Sequence, residues 1–299
     1  MPRQRPIAAT RGGTIAITLG VVVLVGAVAA LSALALRQGT GGGAGAAAER
    51  TAEPAPTFSF GPRTDAATPT PTPAPVVLAP GADERFLSIG ADAAWRATAG
   101  ACGGPAPVIE RSGDGGVTWV DVTPTYQDIS AVHSLTSFGG RHVTAVADLG
   151  AACEPTTLRS YTDGRFWESY PDAFATDSYV DTDGDIVLGG RTVAAPCAAP
   201  WGLRVEGPAA AVICDDTAYA LDGDEWTALT AGALAVAATD DGVVVARTDT
   251  ACTGIRVTDY RDAARDLACV PTETTGAVAL DITGDRVTLW AGADLIDVG

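Results

Sequence analysis

From about residue 84 onward the chain is broken into short runs of β-branched and small apolar residues, each bounded by Asp and Gly, and this texture restricts what it can fold into. RHVTAVA (141–147), DIVLGG (185–190), GVVVART (242–248) and DRVTLWAG (285–292) are strand-length. No amphipathic helix of ordinary length interrupts them. About twenty such runs over roughly 215 residues predict an all-β domain.

The runs repeat. Turn glycines Gly140, Gly184, Gly242 and Gly284 each precede an apolar strand, at gaps of 44, 58 and 42 residues. Cysteine loops follow in GAC (Cys102), AAC (Cys153), APC (Cys197) and TAC (Cys252), and after each comes a run bearing an arginine: Arg111, Arg159, Arg204 and Arg256. A unit of ~40–50 residues with about four short strands cannot bury both its faces alone, so units of this size stack radially as the blades of a β-propeller. The expectation is about five four-stranded blades, or six if the gap between Gly184 and Gly242 holds a further hairpin. The last unit, from Thr272, has only 28 residues, so a strand around Arg85 to Gly90 is expected to complete it and protect its edge.

Between two of these runs stands Ser112-Gly113-Asp114-Gly115-Gly116-Val117-Thr118-Trp119, and 48 residues on Ser160-Tyr161-Thr162-Asp163-Gly164-Arg165-Phe166-Trp167 keeps Ser, Gly and Trp at the same spacing. A remnant remains in Asp222-Gly223-Asp224-Glu225-Trp226. The first stretch resembles the Asp box, S-x-D-x-G-x-T-W, of the BNR repeats of sialidase-like propellers. The resemblance implies a hairpin between the third and fourth strands of a blade, away from any catalytic pocket. Ser112, Asp114, Gly116 and Trp119, with Ser160, Gly164 and Trp167, are therefore assigned structural roles: side-chain oxygens satisfy the turn's backbone, glycine takes a positive φ, and Trp packs between sheets.

A sialidase would further need three convergent arginines, a tyrosine nucleophile with a glutamate partner, and an aspartate near the scissile bond. Where the family carries an R-I-P-like stretch this chain reads Arg85-Phe86-Leu87, and the repeated arginines, assigned to third strands, would lie far from the axis and pair with nearby acids. No catalytic residue is assigned.

Six cysteines without C-x-x-C point to disulfides rather than zinc. Cys197 and Cys214, like Cys252 and Cys269, are 17 residues apart, which suggests two bridges within blades, from a loop between second and third strands to the exit of the fourth. Cys102 and Cys153 remain as a pair between equivalent loops of two blades. Each 17-residue closure would contribute roughly 3 kcal/mol in the chain-entropy model. Asp181-Thr182-Asp183-Gly184-Asp185 begins like a calcium loop, but its glycine is fourth and Thr192 occupies the twelfth place, so a hairpin turn is the better reading. His133 and His142 have no ligand context, and no metal or cofactor is expected.

The N-terminal part sets the compartment. Thr14 to Leu36 is 23 residues without a charge, long enough at ~1.5 Å per residue to cross a ~30 Å hydrocarbon layer. Arg3, Arg5 and Arg11 precede it, which places residues 1–13 in the cytoplasm and the rest outside. A cleaved signal peptide is the rival reading, and it would leave a secreted domain. Residues 37–80, rich in Gly, Ala, Thr and Pro, read as a disordered linker, and 81–299 as the extracytoplasmic propeller. Beyond residue 48, 15 arginines stand against all 36 acids, a surface that repels nucleic acid. The expected function is a membrane-anchored, non-enzymatic binding or structural module for an envelope protein or glycan, with a sialidase-like glycoside hydrolase as the alternative. Ligand identity and oligomeric state are left open by the residues.

Overall fold

The computed structural model describes residues 78–273 and 276–298, and the expected membrane span and linker lie outside them. Among the described residues, twenty-two strands form six antiparallel sheets. The first holds β1 (Arg85–Ile89), β2 (Ala94–Thr98), β3 (Val108–Ser112) and β4 (Val120–Asp121). The second holds β5 (Ile129–Phe138), β6 (His142–Leu149), β7 (Glu154–Ser160) and β8 (Glu168–Ser169), and the third only β9 (Tyr179–Val180), β10 (Ile186–Leu188) and β11 (Arg191–Val193). The fourth runs β12 (Trp201–Glu206), β13 (Ala209–Cys214), β14 (Thr217–Asp222), β15 (Glu225–Ala231). The fifth runs β16 (Ala233–Thr239), β17 (Gly242–Asp249), β18 (Cys252–Asp259), β19 (Arg265–Val270), and the sixth β20 (Val278–Thr283), β21 (Arg286–Ala291), β22 (Asp294–Val298).

The first strands β1, β5, β9, β12, β16 and β20 each touch the first strands of both neighbours, so the sheets form a closed ring of six blades. The count corrects the expectation of about five. The 58-residue gap does hold another hairpin: the turn between β12 and β13 uses Gly207, at φ 52°, whose hydrogen leaves room for the Asp240 carboxylate of the next blade.

Blades cohere because their middle strands are apolar on both faces, which suits a sheet covered on each side by another sheet. Val243, Val244, Val245 and Ala246 of β17 are all buried. The resulting cores lie between blades: Val236 and Val245 pack with Ala211 and Ile213, Leu280 and Leu289 with Ile255 and Val257, and Trp95 and Ile109 with Ala145 and Leu158.

Closure differs from the expectation. Arg85–Ile89 pairs with β2 in its own blade, and among the described residues the last blade has three strands. The ring is joined instead by packing of Leu87 against Ala279 and Trp290, with the Arg85 guanidinium 4.2 Å over the Trp290 ring and donating to Gly292 O at 2.8 Å. Ile89 N donates to Asp281 Oδ2 and Thr283 Oγ1 to Ile89 O. Arg96 lies between Trp290 and Trp119, 4.9 and 4.2 Å from their ring centres, and extends the same stack outward. Side chains thus do at this seam what strand exchange was expected to do.

Candidate functional site

The ends of β1, β5, β12, β16 and β20 line one mouth of the central channel, and the starts of β1, β5 and β12 the other; β9 runs the opposite way, with Thr176 to Ser178 before it at the first mouth and Asp181 after it at the second. The wide mouth is a cavity of about 890 Å³, and the narrow one a pocket of about 250 Å³. Phe86 and Leu203 border both and form the wall between them.

Nine serines and threonines line the wide cavity, together with five carboxylates and only two arginines. Ser88 and Ser137 bond to each other at 3.0 Å across the first two blades, and the Ser137 N–H donates to Ser88 Oγ. Acids come from the ends of three first strands and the turns after them, in Glu206, Asp240, Asp241 and Asp281. Asp281 Oδ2 accepts from Ile89 N and Thr283 Oγ1, while burial in the wall pushes its pKa up to about 6 against these hydrogen bonds and the nearby Arg204. A carboxyl poised near neutrality can both accept and donate hydrogen bonds.

Arg204 corrects the repeat deduced above. It lies on β12, a first strand, rather than on a third strand, and so lines the channel. Its guanidinium donates to Arg85 O and Leu203 O, both at 2.7 Å, and sits 3.7 Å from Glu84. Burial raises the Glu84 pKa and lowers that of Arg204, each offset by the other's charge. Arg111, Arg159 and Arg256 do lie on third strands. Arg111 meets Asp163 of the next blade at 2.9 Å and Arg256 meets Asp266 at 2.7 Å, whereas Arg159 borders the cavity and faces the rings of Phe138 and Tyr170. Beside that mouth Phe138, His142 and Tyr161 form an aromatic cluster, ring centres 5.2–5.4 Å apart, in which Tyr161 is 47% exposed. No tyrosine is among the described residues that line the cavity.

The hairpin residues lie between third and fourth strands and outside both pockets. Ser112 Oγ accepts from Gly116 N at 2.8 Å and donates to Asp114 Oδ1, which also accepts from Val117 N and Thr118 N. Those donors, with the Ser112 and Thr118 hydroxyls foremost, lower the Asp114 pKa to about 2. In the second copy Ser160 Oγ accepts from Gly164 N at 2.9 Å, and Thr162 Oγ1 replaces the missing carboxylate by accepting from Phe166 N. Trp119 and Trp167 each donate to the carbonyl of the turn glycine, Gly116 or Gly164, at 3.0 Å. Asp163, displaced by one position, turns outward to bind Arg111 and Arg141.

The cysteines pair as Cys102–Cys153, Cys197–Cys214 and Cys252–Cys269, with Cα separations of 5.9, 5.8 and 5.6 Å. Three disulfides fit an oxidising compartment. The middle pair departs from the expected wiring, because Cys197 lies in the connection into blade four and Cys214 ends its second strand. Asp181 Oδ1 accepts from Asp183 N and Asp185 N in the β9–β10 turn, and among the described residues no His, Cys, Asp and Glu cluster suits a metal ion.

His133, Asp181 and Cys102, which stand out separately in the sequence, come together at the narrow pocket. Its residues Glu84, His133, Asp148 and Asp181 are spread over nearly a hundred positions, and only ring closure gathers them.

No family model matches the chain, and no curated protein does. Among solved structures it is similar to YCF48 bound to D1 peptide, at 15% identity over 76% of this chain and 81% of that one, with a TM-score of 0.40. It is also similar to AofleA from Arthrobotrys oligospora, at 11% identity over 73% and 86% with a TM-score of 0.44. A third is the Hadza microbial sialidase Hz136, at 10% identity over 69% and 49% with a TM-score of 0.34, so the chain spans about half the length of that sialidase.

Proposed function

We propose that the chain is a membrane-anchored, extracytoplasmic binding module that holds an uncharged or cationic segment of an envelope glycan in its wide axial mouth. The observation that carries this reading is the lining: hydroxyls and carboxylates match the hydroxyls of a sugar, and the excess of acid disfavours an anionic one. Phe138 and Tyr161 supply the rings on which a pyranose can stack at the rim. The Asp-box hairpins of the first two blades are scaffold in this reading, and the uncharged span at 14–36 is the anchor that displays the propeller outside the cell.

One observation favours a second reading. Asp281, with its raised pKa, shares the cavity with Glu206 and Arg204, and an acid beside a carboxylate is the equipment of a glycoside hydrolase. The binding role is preferred because Asp281 Oδ2 is already committed to the seam between the last blade and the first.

Titrating the full chain in non-ionic detergent with solubilised envelope glycan fragments, while assaying reducing ends, tests both. Heat of binding without new reducing ends is expected, and Asp240→Asn with Tyr161→Ala should weaken binding about tenfold or more. Release of reducing ends that disappears in Glu206→Gln would establish hydrolysis, and absence of any heat would remove the glycan reading.

A further inference from the structure

Arg159, on β7 of the second blade, is half-buried and lines the wide mouth, yet it lacks what most arginines of this acidic chain have, an acid. Among the described residues no carboxylate pairs with it, no oxygen accepts from it, and its enclosed Nε is without a hydrogen-bond partner. Arg204, the other arginine of the cavity, is engaged by Glu84 and by two backbone carbonyls. The Arg159 guanidinium is held instead by the rings of Phe138 and Tyr170, whose centres lie 6.0 and 5.4 Å from its central carbon. A guanidinium laid against rings keeps its N–H edges for other partners, and its planar fork of donors fits a carboxylate. The opposite wall carries the other sign. In a ring of six blades the second faces the fifth, whose first turn bears Asp240 and Asp241, and Glu206 precedes the Gly207 that abuts Asp240. Among the described residues none of these three forms an ion pair, whereas Asp177 accepts from Thr157 Oγ1, and Asp281 from Ile89 N and Thr283 Oγ1.

We propose that the wide mouth binds a zwitterionic segment, its carboxylate forked by Arg159 and its ammonium held at Asp240, Asp241 and Glu206. The inference rests on the glycan reading and narrows it: the ligand is a short peptide carried by the glycan, with a free amine and a free carboxyl group. Such a segment has no net charge, which agrees with the acid excess of the mouth. An acidic sugar would satisfy Arg159 but be repelled by the facing wall, and a purely cationic ligand would leave Arg159 unpaired. Two parallel N–H···O bonds fix the carboxylate, while an ammonium, with three donors on a compact head, fits exposed acids without a set geometry. Three extended residues span at most ~10 Å, and a cavity of about 890 Å³ is of the size that holds such a ligand. Between the two poles the hydroxyls of Thr136, Ser137 and Thr144 line the wall and match peptide N–H and C=O groups.

Calorimetric titration of the full chain in non-ionic detergent with tri-alanine, tri-alanine amide and N-acetyl-tri-alanine, beside the solubilised glycan fragments, provides the test. Tri-alanine is expected to bind about tenfold or more tightly than either derivative, since each derivative lacks one of the two charges. Arg159→Gln should remove the preference for tri-alanine over its amide, and Asp240→Asn with Asp241→Asn the preference over the acetylated form. If the unaltered chain binds the amide as tightly as tri-alanine while glycan fragments still bind, the proposal is overturned and the glycan reading stands. An undiminished preference for tri-alanine in Arg159→Gln would overturn it equally. Binding of tri-alanine without binding of glycan fragments would uphold the zwitterion site and remove the glycan. Should Arg159→Gln fail to fold, the three probes on the unaltered chain decide alone.

Discussion

At the scale of single residues, the same side-chain types do opposite work according to what their surroundings leave unpaired. Asp114 collects hydroxyl and backbone donors in an exposed turn and is held as a carboxylate down to about pH 2, whereas Asp281, in the channel wall, has its pKa raised to about 6. The second case predicts a pH dependence. Between about pH 4 and 6 the folded chain binds the Asp281 proton more tightly than the unfolded chain does, so this contribution is full below the ordinary value of 3.8 and is lost as pH rises through 6. Because the side chain is partly open to the cavity, the contribution should be on the order of 1–2 kcal/mol. Urea unfolding at stepped pH should show that fall in the unaltered chain and a flatter profile in Asp281→Asn; identical profiles would show that the carboxyl titrates normally. Little of this was legible beforehand, since Asp281 belongs to an unremarkable LDIT run. Its pKa depends on β1, whose last residue is 192 positions away.

At the scale of elements, the blades are unequal. Blade three has strands of two, three and three residues, and only Ile186 and Val193 among them are buried. Blade five has strands of six to eight residues, a continuous buried run in β17, and the Cys252–Cys269 bridge. Hydrogen exchange should accordingly open β9 to β11 first and β16 to β18 last. Equal protection of the two blades would mean that neighbouring blades, rather than strand length, set local stability. Strand-sized runs and turn glycines were readable because burial on both faces and positive φ leave marks on composition. The order of strands within a blade was not. The cysteine of APC and the arginine of GLRV mimic a second-to-third-strand loop, but in the fold they lie before and within a first strand. Local pattern is the same at either place, and only pairing partners distinguish them.

At the scale of the whole molecule, stability turns on one seam. Five junctions follow from consecutive blades, but the sixth must join residues about 200 apart, and it does so through Leu87, Ala279 and Trp290 with Arg85 and Arg96 against the indole. Trp290 is 4% exposed, so Trp290→Ala should cost about 3–5 kcal/mol in urea unfolding. Exchange should then accelerate in β1 and β20 together. A loss confined to β21 would show that the indole serves its own blade rather than closure.

The chain's residues alone determined that this is an all-β array of repeated units stapled by disulfides, because strand periodicity, turn chemistry and cysteine spacing are local and leave a trace in order. They also marked the serine-to-tryptophan stretches as hairpins, since those hydrogen bonds close within a few positions of the side chains that make them. Tertiary structure decided the number of blades, the way the ring closes, and above all the two mouths of the channel. Those depend on which first strands become neighbours around an axis, a relation that no local run of residues encodes. Asp148, Glu84 and His133 are ordinary polar residues until closure places them around one pocket, with His133 Nε2 3.0 Å from Asp148 Oδ1.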